Sequence, residues 1–272
     1  MKKHSFWIVT SFFLVTAFTA ISWVSVKESN GATSEITDES VLKTESAVNK
    51  VVSAEEQFEQ HINAVYTSAQ LGDSKLDYNV FKKAFIGYLN LKSKSMVSAK
   101  ELLTIVDFNK SSTQKRLWII DLAQQKLLFN TLVAHGQGSG GDTPDKFSNL
   151  ENSHQSSLGF YVTSDIYFGK HGLSLKLDGL DKGFNTNAKD RAVVIHGAQY
   201  VSEQFIKQHG RLGRSHGCPA LPVELTGKII DNIKGKTAMF IAGPQTSYDT
   251  KYADPAVAMN GFFSTSAPVA SI

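Results

Sequence analysis

The chain has 272 residues, which is enough for one large domain or two small ones. Hydrophobic residues make up 42% of it and charged residues 19%, a balance that excludes a disordered protein and favours a globular one with a substantial core. The net charge is only +3, and the chain lacks the runs of Lys and Arg that bind nucleic acid, so no nucleic-acid partner is predicted.

The N-terminal segment has the pattern of an export signal. Its basic start, Lys2 and Lys3, is followed by an uncharged, mainly apolar stretch that ends at Val26. This stretch is also long enough to cross a bilayer core of about 30 Å. Residues 1–28 therefore fit both a cleaved signal peptide and a retained inner-membrane anchor. Either one predicts a protein that is exported to the periplasm or the cell envelope.

A linker and then a helical region are predicted next. Residues 29–53 are rich in Ser, Thr, Glu and Asn, which is typical of a linker. In residues 54–103, apolar side chains recur at helical spacing and predict two amphipathic helices, the second over 76–91. The apolar stripe of the first helix consists of three residues: Phe58, Ile62 and Val65. The pattern leaves open whether this region recognises substrate or braces the rest of the protein.

The pattern changes to that of a β-rich domain over residues 104–243. Short apolar runs typical of strands occur at five places: 117–120, 127–129, 158–163, 192–195 and 238–242. The first two runs are predicted to form a hairpin, and Gly- and Ser-rich sequence at 136–141 and 169–183 separates others. A helix is predicted over 223–233. Residues 244–272 are polar and small, and are predicted to be a disordered tail.

The only cysteine, Cys218, cannot form an internal disulfide and follows the segment Ser215-His216-Gly217. Upstream, a predicted strand ends at His196 and Gly197. A free thiol has a pKa of about 8.5, so it needs a base to become nucleophilic at neutral pH. An imidazole beside the thiol would take its proton. We therefore predict that Cys218 is a nucleophile and that His196 is its base.

Two further groups are expected around this pair. Gly217 would let the backbone approach closely, so that nearby N–H groups form an oxyanion hole. The second ring nitrogen of His196 needs an acceptor that fixes the tautomer. A backbone carbonyl at Ser215 or His216 is the expected acceptor.

At these residues the chain resembles the L,D-transpeptidase catalytic domain, or YkuD-like family, and in particular its murein L,D-transpeptidase branch. The resemblance covers about half of the chain and rests on six segments: 104–108, 133–136, 147–149, 156–159, 167–172 and 213–221. It implies a nucleophile at Cys218 and a base at His196, with a catalytic loop completed by Ser215, His216 and Gly217. The expected fold class is therefore mainly β, a β-rich catalytic domain with a short helical N-terminal region, and α+β overall.

The resemblance also implies a substrate, the peptidoglycan stem peptide. The Cys would attack the amide that follows the L-centre of diaminopimelate, and an amine acceptor would then complete a crosslink. Water in place of the amine would make the protein an L,D-carboxypeptidase, and some relatives attach or detach a wall-linked lipoprotein. The family implies no cofactor, and carbapenem-type inhibitors are expected to react with the same Cys.

One departure from the family concerns the substrate carboxylate. Most members carry Arg or Asn shortly after the Cys, whereas Pro219 and Ala220 follow it here. Arg214, or else Arg211 or Arg191, is expected to bind the carboxylate instead. Further substrate contacts are expected from four residues: His135, His171, Gly197 and Tyr200.

Three alternatives fit the sequence less well. A zinc site would use His196, His216 and Cys218, but paired Cys spacing and a His-Glu-x-x-His helix are both missing, so no metal is predicted. Papain-like enzymes place Cys before His in the chain, and sortases separate the two residues much further. The intact pair argues against a non-catalytic wall-binding protein with a decayed site.

Overall fold

The structure, a computed structural model, describes residues 52–266. The predicted leader, residues 1–28, and nearly all of the predicted linker lie outside the described residues. Among residues 52–266, no helix combines the length and the apolar character that a membrane crossing requires.

Two helices precede the sheet, as the apolar stripes predict. Helix α1 (Ala54–Ser68) begins at a capping box, in which Ser53 and Glu56 each accept the backbone N–H of the other. Helix α2 (Tyr78–Ser93) begins at Asp77, whose carboxylate accepts two backbone N–H groups of the first turn. The buried side chains of α1 are those of the predicted stripe: Phe58, Ile62 and Val65.

The described chain contains eight strands: β1 (Leu102–Asp107), β2 (Leu117–Asp121), β3 (Lys126–Thr131), β4 (Gly159–Gly169), β5 (Gly172–Gly179), β6 (Val194–Gly197), β7 (Ala220–Leu221) and β8 (Ala238–Ala242). They form one sheet in the order β3-β2-β1-β8-β4-β5-β6-β7. The pairs β1–β8 and β6–β7 are parallel, and the other neighbours are antiparallel. The predicted catalytic residues therefore belong to one end of the sheet, where β6 and β7 lie.

Helices cover both faces of the sheet. Three of them follow β6 along the chain: α3 (Glu203–His209), α4 (Val223–Ile233) and α5 (Pro255–Ser266). Side chains alternate between the two faces of a strand. In β8, Phe240 packs with α1, α2 and α5, whereas Met239 and Ile241 pack with α4 on the opposite face. Because both faces are buried, β2 and β8 are nearly continuous apolar runs and not alternating ones.

The predicted helical region braces the sheet and shares its core. At Gly87 of α2, a Cβ atom would lie only 2.0 Å from the ring of Phe160 in β4. Helix and strand are thus in direct contact at a position where only Gly fits. Side chains of α1 and α2 belong to the same hydrophobic cluster as Trp118 and Phe240 of the sheet.

The Gly-rich segment 169–183 contains a strand that its composition does not indicate. β4 continues beyond the predicted run to Gly169 and pairs with β5 as a long hairpin with Lys170 and His171 at its turn. The end of this hairpin projects into solvent, and Phe168 there is 81% exposed. Leu173, Leu175 and Leu177 alternate at strand spacing, but glycines at both ends of β5 give the segment the composition of a loop, so the sequence pattern misses this strand.

The prediction of a disordered tail is wrong for residues 244–266. Helix α5 packs against α2, and the fully buried amide of Asn90 in α2 holds the segment before it. The Asn90 amide donates to the carbonyl oxygens of Tyr252 at 2.7 Å and Asp254 at 2.9 Å. These anchors are distant in sequence, so the local polar composition does not reveal them.

Candidate active site

Strands β6 and β7 bring Cys218 and His196 to one cleft. The strands are parallel, and His196 lies opposite Ala220. Cys218 lies two positions before Ala220, in the loop that leads into β7. Both side chains line a cleft of about 650 Å³ at this edge of the sheet.

The backbone of residues 192–194 surrounds the thiol of Cys218. The N–H of Val194 donates to Sγ at 3.4 Å, and Sγ lies 3.7 Å from the carbonyl oxygen of Ala192. Burial raises the pKa of Cys218, and the Val194 N–H and the guanidinium of Arg191 offset this effect only in part. The resting side chain is therefore a thiol at neutral pH.

The imidazole of His196 has a fixed tautomer. Nδ1 lies 3.0 Å from the carbonyl oxygen of Gly197, so Nδ1 carries the proton and Nε2 is the basic nitrogen. The expected acceptor at Ser215 or His216 is wrong, because the ring at the end of β6 reaches the carbonyl of its own neighbour. Burial lowers the pKa of His196, although the bond to Gly197 opposes this effect.

Cys218 and His196 are both uncharged in the resting site. Among the hydrogen bonds of the described residues, none joins Sγ of Cys218 to the His196 ring. The ring instead stacks on His171 from the turn of the β4–β5 hairpin, with centroids 4.3 Å apart. A raised thiol pKa and a lowered imidazole pKa both oppose a preformed thiolate–imidazolium pair.

Ser215 determines the shape of loop 215–218. Its hydroxyl donates to the carbonyl oxygen of Cys218 at 2.6 Å and accepts the N–H of Gly217 at 3.0 Å. Its backbone joins the loop to the preceding layer, since the Ser215 N–H donates to His135 O and the Ser215 carbonyl accepts the N–H of Gln137. The loop is therefore held by a side chain within it and by the backbone beneath it.

Gly217 occupies a position that only glycine tolerates. Its φ of +122° lies in a region that side chains disfavour. A Cβ atom there would also lie 2.8 Å from the carbonyl oxygen of Gln155. The absence of a side chain lets loop 215–218 pack directly on the backbone that carries Gln155.

The cleft has a cationic lining. Three basic residues line it, Lys170, Arg191 and Arg214, and no carboxylate of the described chain is among its lining residues. Burial and the neighbouring Cys218 raise the pKa of Tyr200 to about 12, so this side chain contributes a hydroxyl donor. A lining of this kind favours a ligand that carries negative charge.

The family model for the L,D-transpeptidase catalytic domain matches residues 72–242, more than half of the chain. The chain belongs to this family. The match begins at residue 72, so it includes α2 as well as the β-rich part. The L,D-transpeptidase domain is therefore wider than the strand-forming region that the sequence pattern outlines.

Three solved structures resemble the chain at low identity. An L,D-transpeptidase from Mycobacterium smegmatis is 12% identical, with a TM-score of 0.34 over 53% of this chain and 59% of that one. The helical cell shape determining protein Pgp2 from Campylobacter jejuni is 13% identical, with a TM-score of 0.37 over 64% and 62%. The LD transpeptidase LdtMt1, in complex with imipenem, is 11% identical, with a TM-score of 0.32 over 52% and 59%. The chain thus spans about three fifths of each of these structures, and no curated protein matches it.

Most of the residues predicted to contact substrate lie in the cleft of this L,D-transpeptidase domain. Three of them line it: His171, Tyr200 and Arg214. His216, predicted as part of the catalytic loop, lines the cleft as well. His216 is exposed and stacks on His154, with ring centroids 4.2 Å apart. Gly197 instead packs against α4, where a Cβ atom would lie 2.8 Å from the hydroxyl of Thr226. Its carbonyl contributes to the site by orienting His196.

His135 does not reach the cleft. Its side chain is fully buried behind loop 215–218, and its Nδ1 lies 2.8 Å from Nη2 of Arg116. This position excludes the predicted substrate contact. His135 follows β3 and lies beneath the loop. Its neighbouring glycines therefore do not indicate an exposed substrate-binding position.

The sequence analysis does not single out Lys170 as a site residue. Its position depends on the β4–β5 hairpin, which places the turn over the cleft. Segment 167–172 contributes to the family resemblance, but only His171 is predicted there as a substrate contact. Within residues 52–266, no three His, Cys, Asp or Glu side chains are grouped so that they would hold a metal ion.

Proposed function

We propose that this protein is an exported cysteine acyltransferase that acts on peptidoglycan stem peptides by L,D-transpeptidation. The observation that carries the proposal is that Cys218, in the loop before β7, and His196, in the neighbouring parallel strand β6, line one cationic cleft. Membership of the L,D-transpeptidase family supports the choice of substrate.

The first half of the reaction forms an acyl-enzyme. As Sγ of Cys218 attacks the amide carbonyl carbon, Nε2 of His196 takes the thiol proton. This general-base route suits a resting site in which both groups are neutral. The N–H of Cys218, which donates to no other residue among 52–266, is available to stabilise the oxyanion. The C–N bond then breaks, the imidazolium protonates the leaving amine of the D-amino acid, and a thioester remains.

The second half returns the enzyme to its resting state. An acceptor amine attacks the thioester carbonyl and gives a proton to His196. The C–S bond breaks, and the thiolate of Cys218 recovers a proton from the imidazolium. The product is a new amide, which is the crosslink. Water in place of the amine would give a free carboxylate, the L,D-carboxypeptidase outcome.

We assign the substrate carboxylate to Arg214. Its Nη1 donates to the carbonyl oxygen of Gly140 at 2.7 Å, and in the described structure its other donors make no hydrogen bond. Arg191 also lines the cleft, but both of its Nη atoms already donate to protein acceptors. Arg211 is not among the lining residues and donates to Leu212 O. Arg214 is thus the arginine at the cleft that has free Nη donors.

Carbapenem reactivity and export belong to the same proposal. A strained β-lactam amide would acylate Cys218 as the peptide amide does, and one of the similar structures is an imipenem complex. The apolar segment within residues 1–28 would direct the chain to the periplasm or cell envelope, where peptidoglycan lies.

Product analysis by mass spectrometry tests the proposal. Purified protein is incubated with tetrapeptide muropeptides, and crosslinked dimers are expected from transpeptidation. Cys218→Ser should abolish the product, whereas Arg211→Gln, which alters an arginine outside the cleft, should leave it unchanged. Tripeptides alone would identify an L,D-carboxypeptidase. If neither product forms, the proposal fails in favour of an enzyme acting on a wall-linked lipoprotein or a wall-binding protein.

A further inference from the structure

Arg191 differs from the other basic residues of the cleft in how its guanidinium is held. Nη1 and Nη2 together donate four hydrogen bonds, three of them at 2.6 Å and one at 3.2 Å. The acceptors are two carbonyl and two hydroxyl oxygens in one segment, residues 148–157: Ser148 O, Ser153 Oγ, Gln155 O and Ser157 Oγ. Arg191 therefore fastens a whole segment of the chain.

The same guanidinium lies against the nucleophile's loop. A Cβ atom on Gly217 would lie 3.3 Å from Nη2 of Arg191, and Gly217 directly precedes Cys218. Arg191 is also followed by the two backbone groups that contact the sulfur, Ala192 O and Val194 N–H. Arg191 and Cys218 line one cleft.

No acidic side chain of the described structure forms an ion pair with Arg191. All four of its acceptors are neutral, so they orient the guanidinium without cancelling its charge. The side chain is half-buried, which limits screening by water. Its charge therefore acts on the sulfur, and it opposes the rise in the pKa of Cys218 that burial causes.

We infer that Arg191 is a positioning residue of the active site, which fastens segment 148–157 against loop 215–218 and holds a positive charge beside the Cys218 sulfur. That charge stabilises the thiolate at the moment when His196 removes the proton. The inference rests on the proposed role of Cys218 as the nucleophile. The role of Arg191 differs from that of Arg214, because Arg191 has no free Nη donor for a substrate carboxylate.

The test is the pH dependence of Cys218 alkylation by iodoacetamide in the full chain. Cys218 is the only cysteine, so the mass of the intact protein reports this thiol alone. Arg191→Gln should raise the apparent pKa of Cys218 by roughly one unit, which makes alkylation about tenfold slower below that pKa. Arg191→Lys keeps the charge and should retain most of the wild-type rate. The wild-type protein and both Arg191 variants share the other titratable or charged side chains that line the cleft: Lys170, His171, His196, Tyr200, Arg214 and His216.

Two controls separate an electrostatic role from a merely structural one. Ser157→Ala removes an acceptor of Arg191 but keeps the charge, so it should lower Tm and leave the thiol pKa unchanged. Arg211→Gln should change neither quantity. The inference is overturned if Arg191→Gln folds with an unchanged thiol pKa, or if Ser157→Ala shifts that pKa equally.

If Arg191→Gln does not fold, the thiol pKa of Arg191→Lys tests the inference instead. A wild-type thiol pKa at a lowered Tm supports the inference, and a raised pKa contradicts it. Alkylation needs no peptidoglycan, so its result is separate from that of product analysis. If muropeptides are not converted but the thiol pKa rises in Arg191→Gln, the proposed function fails while the electrostatic assignment holds.

Discussion

The hydroxyl of Ser215 donates a 2.6 Å hydrogen bond to the carbonyl oxygen of Cys218, and so closes the loop that presents the thiol. Ser215 is only 6% exposed, so water has little access to replace this bond. The hydroxyl also accepts the N–H of Gly217, which means that one side chain satisfies two buried backbone groups. We therefore attribute to Ser215 the conformation of the loop and not a chemical step.

Replacement of Ser215 by Ala should destabilise the protein and slow acylation. The change leaves a buried carbonyl and a buried N–H without partners, which costs about 1–3 kcal/mol. Urea unfolding measures the stability, and mass spectrometry with a carbapenem measures the acylation rate. Ser264→Ala is the matched control, because Ser264 is exposed and bonds only within its own helix. Equal effects of the two substitutions would show that the loop does not depend on this hydroxyl.

A Cβ atom at position 217 should be far more harmful than one in a helix. Gly217→Ala combines a φ of +122° with a 2.8 Å contact to backbone that cannot move independently, and should cost about 1–3 kcal/mol or more. Gly227→Ala is the control, since it lies in α4 with no atom within 4 Å of the added Cβ. It should stabilise the protein by about 1 kcal/mol. Similar unfolding curves for the two variants would refute the tight packing of loop 215–218.

The pH dependence of acylation should report the neutral imidazole of His196. The pKa of this group lies below its ordinary 6.5, chiefly because of burial. As pH falls through that lowered pKa, Nε2 becomes protonated and the base is lost, so the acid limb of kcat/KM should have its midpoint below 6.5. His196→Gln should lower the rate about 10²–10⁴-fold at neutral pH while Cys218 remains open to alkylation.

His171 provides a control for that assignment. Its imidazole stacks on His196, and its charge lowers the pKa of His196. His171→Gln should therefore move the acid limb to higher pH without removing it. An acid limb above 6.5 in the unmodified protein, or one that persists in His196→Gln, would assign the base to another group.

Elements with a local signal could be predicted from the sequence. The runs at 223–233 and 238–242 have the same bounds as α4 and β8, and the stripe of Phe58, Ile62 and Val65 is buried as predicted. Strand β5 could not be predicted, because glycines at both of its ends obscure an apolar alternation. Helix α5 was missed because its anchor, Asn90, lies in α2.

The active site likewise contains features that the sequence predicts and features that it does not. Cys218 and His196 stand out because each adjoins a glycine at a strand end or turn, and they meet in one cleft. The acceptor of His196, the buried position of His135 and the bonds of Arg191 all depend on backbone atoms. The amino-acid sequence does not show which backbone carbonyl a side chain will reach, so these features could be recognised only in the structure.

A buried contact between Arg116 and His135 lies behind loop 215–218. Nη2 of Arg116 is 2.8 Å from Nδ1 of His135, and both side chains are fully buried. A guanidinium can only donate, so Nδ1 is the acceptor and His135 is neutral. Burial, reinforced by the charge of Arg116, lowers the pKa of His135 to about 4. Protonation of Nδ1 would replace this hydrogen bond with two adjacent cations.

Acid should therefore destabilise the protein through His135. In the unfolded chain the imidazole has a pKa of about 6.5, so between that pH and about 4 the unfolded state takes up a proton that the folded state does not. The contribution to stability is complete above 6.5 and falls by about 3 kcal/mol as pH drops to 4. His135→Asn keeps an acceptor for Arg116 but cannot be protonated, so its free energy of unfolding should depend less on pH. Urea unfolding across this range compares the two proteins, and parallel losses would mean that carboxylates, not His135, set the acid limit.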